Sequence, residues 1–139
     1  MLFLDTSALL KRYVTEQGTP LVLELMERDR EWVASALTYA ETEITFCHLG
    51  YDDRMQAEGR GRLANDWERF RVVPIDGRCL ARAAAIGCAH DVRTLDAIHL
   101  AAADRLPRPL AFLTFDRRQA AAAREMGIDV IGDELEEVR

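Results

Sequence analysis

An α/β fold is predicted for this chain: three layers, with helices on both faces of a central parallel sheet of about four to five strands. Three observations predict it. Short apolar runs alternate with longer segments of helical periodicity along the 139 residues. No turn pair of the kind that closes a hairpin separates two such runs, so the connections have to pass through helices. The clearest runs are continuously apolar, as in strands buried on both faces. No internal repeat, low-complexity linker or composition shift divides the chain, and one domain over residues 1–139 is expected.

The elements follow in order. Leu2-Phe3-Leu4 is a buried strand that ends at Asp5, and Thr6 or Ser7 is placed to cap a short helix over Ala8–Val14. Thr19 caps and Pro20 opens a second helix to about Asp29. Trp32-Val33-Ala34 is a strand, with Ser35 as the next cap. In the helix from Ala36 to about Leu49, Leu37, Ala40, Ile44 and Cys47 have the spacing of a buried stripe. Gly50–Asp53 ends it and caps a polar helical segment, Arg54–Phe70, which Gly59 and Gly61 weaken. Arg71–Pro74 is a third strand, and Asp76 caps a helix over Gly77–His90 with Leu80, Ala83, Ala84 and Ile86 as its apolar positions. Thr94 caps the helix Leu95–Arg105, in which Leu95, Ile98 and Ala102 share a face. Leu110–Thr114 is a buried strand, Arg117–Met126 a helix ended by Gly127, and Ile128–Ile131 a last strand. An acidic tail expected to fray, Asp133–Arg139, follows.

The net charge is −6 and the pI about 5.1, which argues against binding nucleic acid by bulk positive charge. It does not argue against binding through an acidic site filled by a cation, because bound ions invert the local field. Cys47, Cys79 and Cys88 are odd in number and lack CxxC spacing, as expected of reduced thiols in a cytoplasmic protein. No basic leader and no apolar run of membrane-spanning length is present, so a soluble protein without a membrane partner is expected.

Four acids carry the chemistry. Asp5 and Asp116 each follow a buried strand and precede a helix; Asp96 lies in the first turn of a helix. The crevice at the carboxyl ends of strands is where ligands bind in open α/β sheets. On the helix from Ala36, Glu41 and Glu43 cannot face the same way. Glu41 flanks the apolar stripe and is the better inward candidate. Any one of the three aspartates is explained by helix capping or by the helix dipole. Together they are not: two unit charges about 5 Å apart repel by about 3 kcal/mol at an effective dielectric of 20. If the four converge, a hard divalent cation is the simplest resolution, and an all-oxygen donor set points to Mg²⁺ or Mn²⁺ rather than Zn²⁺.

The order Leu4-Asp5-Thr6-Ser7-Ala8-Leu9, then Ser35 and Glu41, then Arg93-Thr94-Leu95-Asp96-Ala97-Ile98-His99-Leu100, then Leu113-Thr114-Phe115-Asp116-Arg117-Arg118 resembles the PIN-domain family, above all the VapC-type toxins of toxin–antitoxin pairs. The resemblance runs from Met1 to about Ile131. It implies a PIN-like sandwich of helices around a parallel sheet and a Mg²⁺- or Mn²⁺-dependent endoribonuclease that leaves a 5′-phosphate and a 3′-hydroxyl. It implies that Asp5, Glu41 and Asp96 match the core metal-binding acids, with Asp116 the fourth. Thr6, Ser7 and Thr114 match the hydroxyl positions beside them. A homodimer and a cognate antitoxin that blocks the site are implied as well.

Arg93, Arg117 and Arg118 flank two of the acids and are candidates for RNA phosphate contacts, with solvated surface arginine as the plain alternative. His99, one turn after Asp96, either touches substrate, tunes Asp96, or makes a hydrogen bond inside the core, the commonest fate of such a histidine. An aspartyl-nucleophile phosphatase would want a second Asp where Ser7 stands. A phospho-receiver would want an Asp at the end of Arg71–Pro74 and a late Lys, yet Lys11 is the only Lys. The remaining alternative is a catalytically silent domain of the same fold that binds RNA or a partner.

Overall fold

The apolar runs become five parallel strands, β1 (Leu2–Leu4), β2 (Trp32–Ser35), β3 (Arg71–Val73), β4 (Ala111–Thr114) and β5 (Asp129–Gly132), in a computed structural model that describes residues 1–134. Between them lie α1 (Thr6–Tyr13), α2 (Thr19–Arg28), α3 (Leu37–His48), α4 (Asp53–Trp67), α5 (Gly77–Ala89), α6 (Thr94–Asp104) and α7 (Arg117–Glu125). The strand order is β3-β2-β1-β4-β5, and every pairing is parallel.

Successive strand residues point to opposite faces, so the same short strands feed two cores. Phe3, Val33 and Phe112 pack with α5, α6 and α7. Leu2, Leu4, Trp32, Ala34 and Leu113 pack with α1 to α4. The three-layer α/β/α architecture follows from this double burial. Phe3 and Phe112, register partners on β1 and β4, stack with ring centroids 5.2 Å apart and are fully buried. Each such ring contributes about 1.5–3 kcal/mol by leaving water.

The order places the first strand in the middle. From β1 the chain winds outward to β2 and β3, then returns to the other side of β1 with β4 and β5. The reversal makes β1/β4 the topological switch point, where the connections leave in opposite directions and open a crevice. Of the two strands that flank it, β1 is followed directly by Asp5, and β4 by Phe115 and then Asp116.

Gly132, at the end of β5, has φ +117, and a Cβ there would sit 2.5 Å from the carbonyl oxygen of Thr114. Only glycine takes that backbone at no cost, at the strand end that carries Thr114. Gly132→Ala is expected to destabilise by about 1–3 kcal/mol, read as a lower denaturant midpoint with an unchanged slope. An unchanged midpoint would show that the strand end relaxes freely.

Several local expectations are corrected. Asp5, not Thr6 or Ser7, caps α1: its extended backbone lets Oδ1 accept the Ala8 N–H at 2.9 Å. Thr94 lies inside α6, whose N-cap residue is Arg93 with no side-chain cap bond. Ser35 ends β2 fully buried, and Ala36 takes the N-cap position of α3. On α3 the buried face is Thr38, Thr42 and Phe46, while Ala40, Ile44 and Cys47 are exposed. Polar Thr residues can line that face because Thr42 returns its hydroxyl to the Thr38 carbonyl. Leu80 and Ala84 on α5 and Leu95 on α6 also face outward; Cys79, Ala83 and Ile86 carry the α5 packing. Asp133 is buried and accepts two hydrogen bonds from Arg124, so the fraying expected from that position on does not begin there. Residues 135–139 of that tail lie outside the described residues. The three cysteines are free thiols, and among the described residues no helix is long and apolar enough to cross a membrane.

Candidate active site

The four acids come from four segments at the carboxyl-end edge of the sheet and fall into two groups: Asp5 and Glu41, bound by the neighbouring hydroxyls of Ser7 and Thr6, and Asp96 and Asp116, bound by Arg93. Asp5 is 3% exposed and accepts three hydrogen bonds. Its Oδ1 accepts from Ser7 Oγ at 2.7 Å and from the Ala8 N–H, and its Oδ2 accepts from Thr114 Oγ1 at 2.6 Å. Burial pushes its carboxyl upward, against the pull of those three donors. Ser7 also accepts from the Phe115 N–H at 3.0 Å, and Thr114 from the Asp116 N–H at 3.1 Å. The ends of β1 and β4 are thus sewn together by the two hydroxyls that flank Asp5.

Glu41 comes from α3. Its Oε1 accepts from Thr6 Oγ1 at 2.6 Å and lies 2.6 Å from His99 Nε2. Burial alone would raise Glu41, but the His99 and Thr6 hydrogen bonds outweigh it and hold the carboxyl below its ordinary range. Glu43 is hydrogen-bonded to Tyr39, whose phenol is raised first by loss of water contact and then by the Glu43 charge. Of the two glutamates it is Glu41 that meets Thr6 and His99, although the stripe that suggested it is not the buried one.

Asp96 and Asp116 share one cation. Arg93 Nε lies 3.3 Å from Asp96 Oδ2, and Arg93 Nη2 lies 3.8 Å from Asp116 Oδ2. Burial raises the Asp96 carboxyl, and the negative charge of Asp116 raises it further, with Arg93 opposing both. Asp116 also caps α7, accepting the Gln119 N–H at 3.0 Å on Oδ1. Capping and rim placement are therefore not rivals: Oδ1 serves the helix and Oδ2 faces Arg93. Arg93, Arg117 and Arg118 border a cavity of about 360 Å³ with Asp96 and Asp116.

Two residues escaped the sequence reading as site partners. Gln119 is buried, with its Oε1 3.3 Å from Thr114 Oγ1 and its Nε2 donating to the Asp96 carbonyl at 3.3 Å. Its signal was present: Asp116-Arg117-Arg118-Gln119 has the spacing of a capping box. Ser35, expected only as a cap, lies 2.9 Å from His99 Nδ1. No sequence rule pairs positions 35 and 99. His99 itself is buried and hydrogen-bonded, and its partner is one of the four acids.

The donor set at this edge is carboxylate and hydroxyl oxygen, with the one nearby imidazole turned to Glu41, and that chemistry fits a hard cation. As the side chains stand, no three Asp, Glu, His or Cys residues among the described residues are drawn together as a ready ligand group. The cation at the rim is Arg93.

The PIN-domain family model matches residues 2–125. Ribonuclease VapC47 of Mycobacterium tuberculosis is 35% identical over 135 residues, covering 91% of this chain and 93% of that protein. Ribonuclease VapC46 of the same organism is 34% identical over 131 residues, covering 94% and 95%. In fold the chain is similar to FitAcB from Neisseria gonorrhoeae, with a TM-score of 0.75 at 20% identity, covering 95% of this chain and 97% of the other. It is also similar to a toxin–antitoxin complex from Klebsiella pneumoniae, with a TM-score of 0.72 at 17% identity and the same coverage. The family match spans both cores and all four acids, and the chain belongs to the PIN-domain family, among its VapC-type proteins.

Proposed function

We propose that this protein is an endoribonuclease dependent on Mg²⁺ or Mn²⁺ and the toxin of a toxin–antitoxin pair. The observation that carries the proposal is the Asp96–Asp116 pair. Two carboxylates close enough for one to raise the other are held together by an exposed arginine side chain, with a smaller contribution from His99 at Asp96. A site that needs a cation, bordered by three arginines, suits a substrate of phosphodiesters. The names of the VapC relatives, which are ribonucleases, support the same reading.

Asp5, Glu41, Asp96 and Asp116 are the residues that would hold the ion. When bound, it supplies hydroxide from water and neutralises charge on the phosphoryl oxygens. The chain's own groups do the rest. Ser7 and Thr114 hold Asp5, and Thr6 holds Glu41. Arg93, Arg117 and Arg118, which border Asp96 and Asp116, would bind RNA phosphates. No side chain acts as a nucleophile. A cognate antitoxin that covers the acidic rim, assembly as a homodimer, and a cytoplasmic location complete the reading. The likeness in fold to a toxin–antitoxin complex from Klebsiella pneumoniae supports the antitoxin.

The second reading, a silent RNA- or partner-binding domain, draws on Arg93 sitting where two acids meet. Purified protein incubated with structured RNA decides between the two. Cleavage is expected with Mn²⁺ or Mg²⁺ and a loss to background is expected in EDTA. Cleavage that persists in EDTA would sink the metal mechanism; RNA binding without any cleavage would favour the silent domain.

A further inference from the structure

A glutamate has three side-chain torsions, so a carboxylate carried at position 41 has to be aimed by its surroundings. Its Oε1 meets two groups, Thr6 Oγ1 and His99 Nε2, both at 2.6 Å, whereas Oε2 meets no hydrogen-bond donor among the described residues. An ionised carboxylate only accepts, so the hydrogen on this contact belongs to His99 Nε2. The other ring nitrogen, Nδ1, faces Ser35 Oγ at 2.9 Å. Ser35 is fully buried at the end of β2, and His99 is 2% exposed on α6. The ring is therefore fixed on both edges, by a strand end on one side and an acid from α3 on the other.

A buried histidine that only filled the core would satisfy itself on nearby backbone. This one reaches 58 positions back along the chain to an acid of the rim, and its opposite nitrogen is held by a side chain from a third element. Resting on the metal-dependent reading above, we infer that Ser35 and His99 form a buried clamp that holds Glu41 by Oε1, so that Oε2 alone is offered to the ion. His99 is a positioning residue, and Ser35 sets the plane of its ring. Groups that orient a metal-binding side chain typically change affinity by about 10–100-fold when lost.

Two amides at position 99 separate clamp from core filler. In His99→Gln the amide nitrogen reaches the place of ring Nε2 and still donates to Glu41. In His99→Asn the shorter amide reaches only the Ser35 side. Mn²⁺ binding to the purified full-length protein, measured by calorimetry, is expected to weaken about 10-fold or more in His99→Asn and to stay within about threefold in His99→Gln. Metal-free melting temperatures of the two variants are expected to be similar, which a purely structural role does not allow alongside divergent affinities. Equal affinity in His99→Asn and the parent overturns the clamp, and so does an equal loss in both variants. Should His99→Asn fail to fold, Ser35→Ala, which leaves the ring in place, carries the test, and undiminished Mn²⁺ binding there overturns the clamp. Absence of Mn²⁺ binding by the parent protein overturns the metal reading itself, and the clamp with it, so the two failures are told apart by the parent alone.

Discussion

Asp96→Asn is expected to lower RNA cleavage by about 10²–10³-fold while making the metal-free protein more stable at neutral pH. A bound metal supplies several kcal/mol of charge stabilisation, and losing about 3–4 of them is a loss of that size. The stability gain follows from the state of the side chain. Burial and then the Asp116 charge raise the Asp96 carboxyl above its ordinary 3.8, and Arg93 only partly offsets them. Below 3.8 the group is protonated in both folded and unfolded chains and contributes nothing to the pH dependence. As the pH rises from 3.8 towards the raised folded value, the unfolded chain releases its proton first, so the folded chain holds more protons and loses stability. Above the folded value that loss is complete. Asparagine has no proton to release, so the melting-temperature difference between variant and parent should grow in the variant's favour across this window. Cleavage rates and a pH series of melting curves test both halves. A variant that cleaves at the parental rate, or that is less stable at every pH, contradicts the assignment.

How much of this was legible before the fold was known depends on the range of the interaction. Asp52 and Asp76 cap their helices as expected, because a cap is decided within three residues: Asp52 accepts the Met55 N–H and Asp76 the Cys79 N–H. The strands were legible for the same reason. Leu2–Leu4 and the first three residues of Ala111–Thr114 announce burial by being continuously apolar. The strand order was not legible, because nothing local states that β4, 109 positions from Asp5 at the contact through Thr114, returns beside β1. The helix stripes failed where the interior is polar. On α3 the residues facing inward include Thr38 and Thr42, of which Thr42 returns its hydroxyl to the Thr38 carbonyl and Thr38 Oγ1 stays without a partner among the described residues, while Ile44 is 55% exposed. A rule that equates apolar with inside selects the wrong stripe there. It reached Glu41 all the same, because Glu41 borders both stripes. The Ser35–His99–Glu41 chain joins three elements and had no periodicity to betray it.

Asp5 offers the sharpest separation of scaffold from chemistry. Asp5→Ala is expected to cost about 2–4 kcal/mol of stability, a large share of the roughly 5–15 kcal/mol that holds a domain together. The alanine removes the cap of α1, leaves the Ala8 N–H without its acceptor, and strips Ser7 of Oδ1 and Thr114 of Oδ2. Asp5→Asn should behave differently. The amide oxygen can take the place of Oδ1 towards Ser7 and Ala8. The amide nitrogen then meets Thr114 Oγ1, whose hydroxyl has an alternative acceptor in Gln119 Oε1 at 3.3 Å. The buried negative charge, which raises the parental carboxyl, is removed at the same time. Denaturant midpoints should therefore place Asp5→Asn within about 1 kcal/mol of the parent and Asp5→Ala far below it. RNA cleavage should be lost in both. If Asp5 were only a helix cap, Asp5→Asn would keep its activity, because asparagine caps as well as aspartate does. A folded, inactive Asp5→Asn beside a destabilised Asp5→Ala is the pattern that requires an anion at this position.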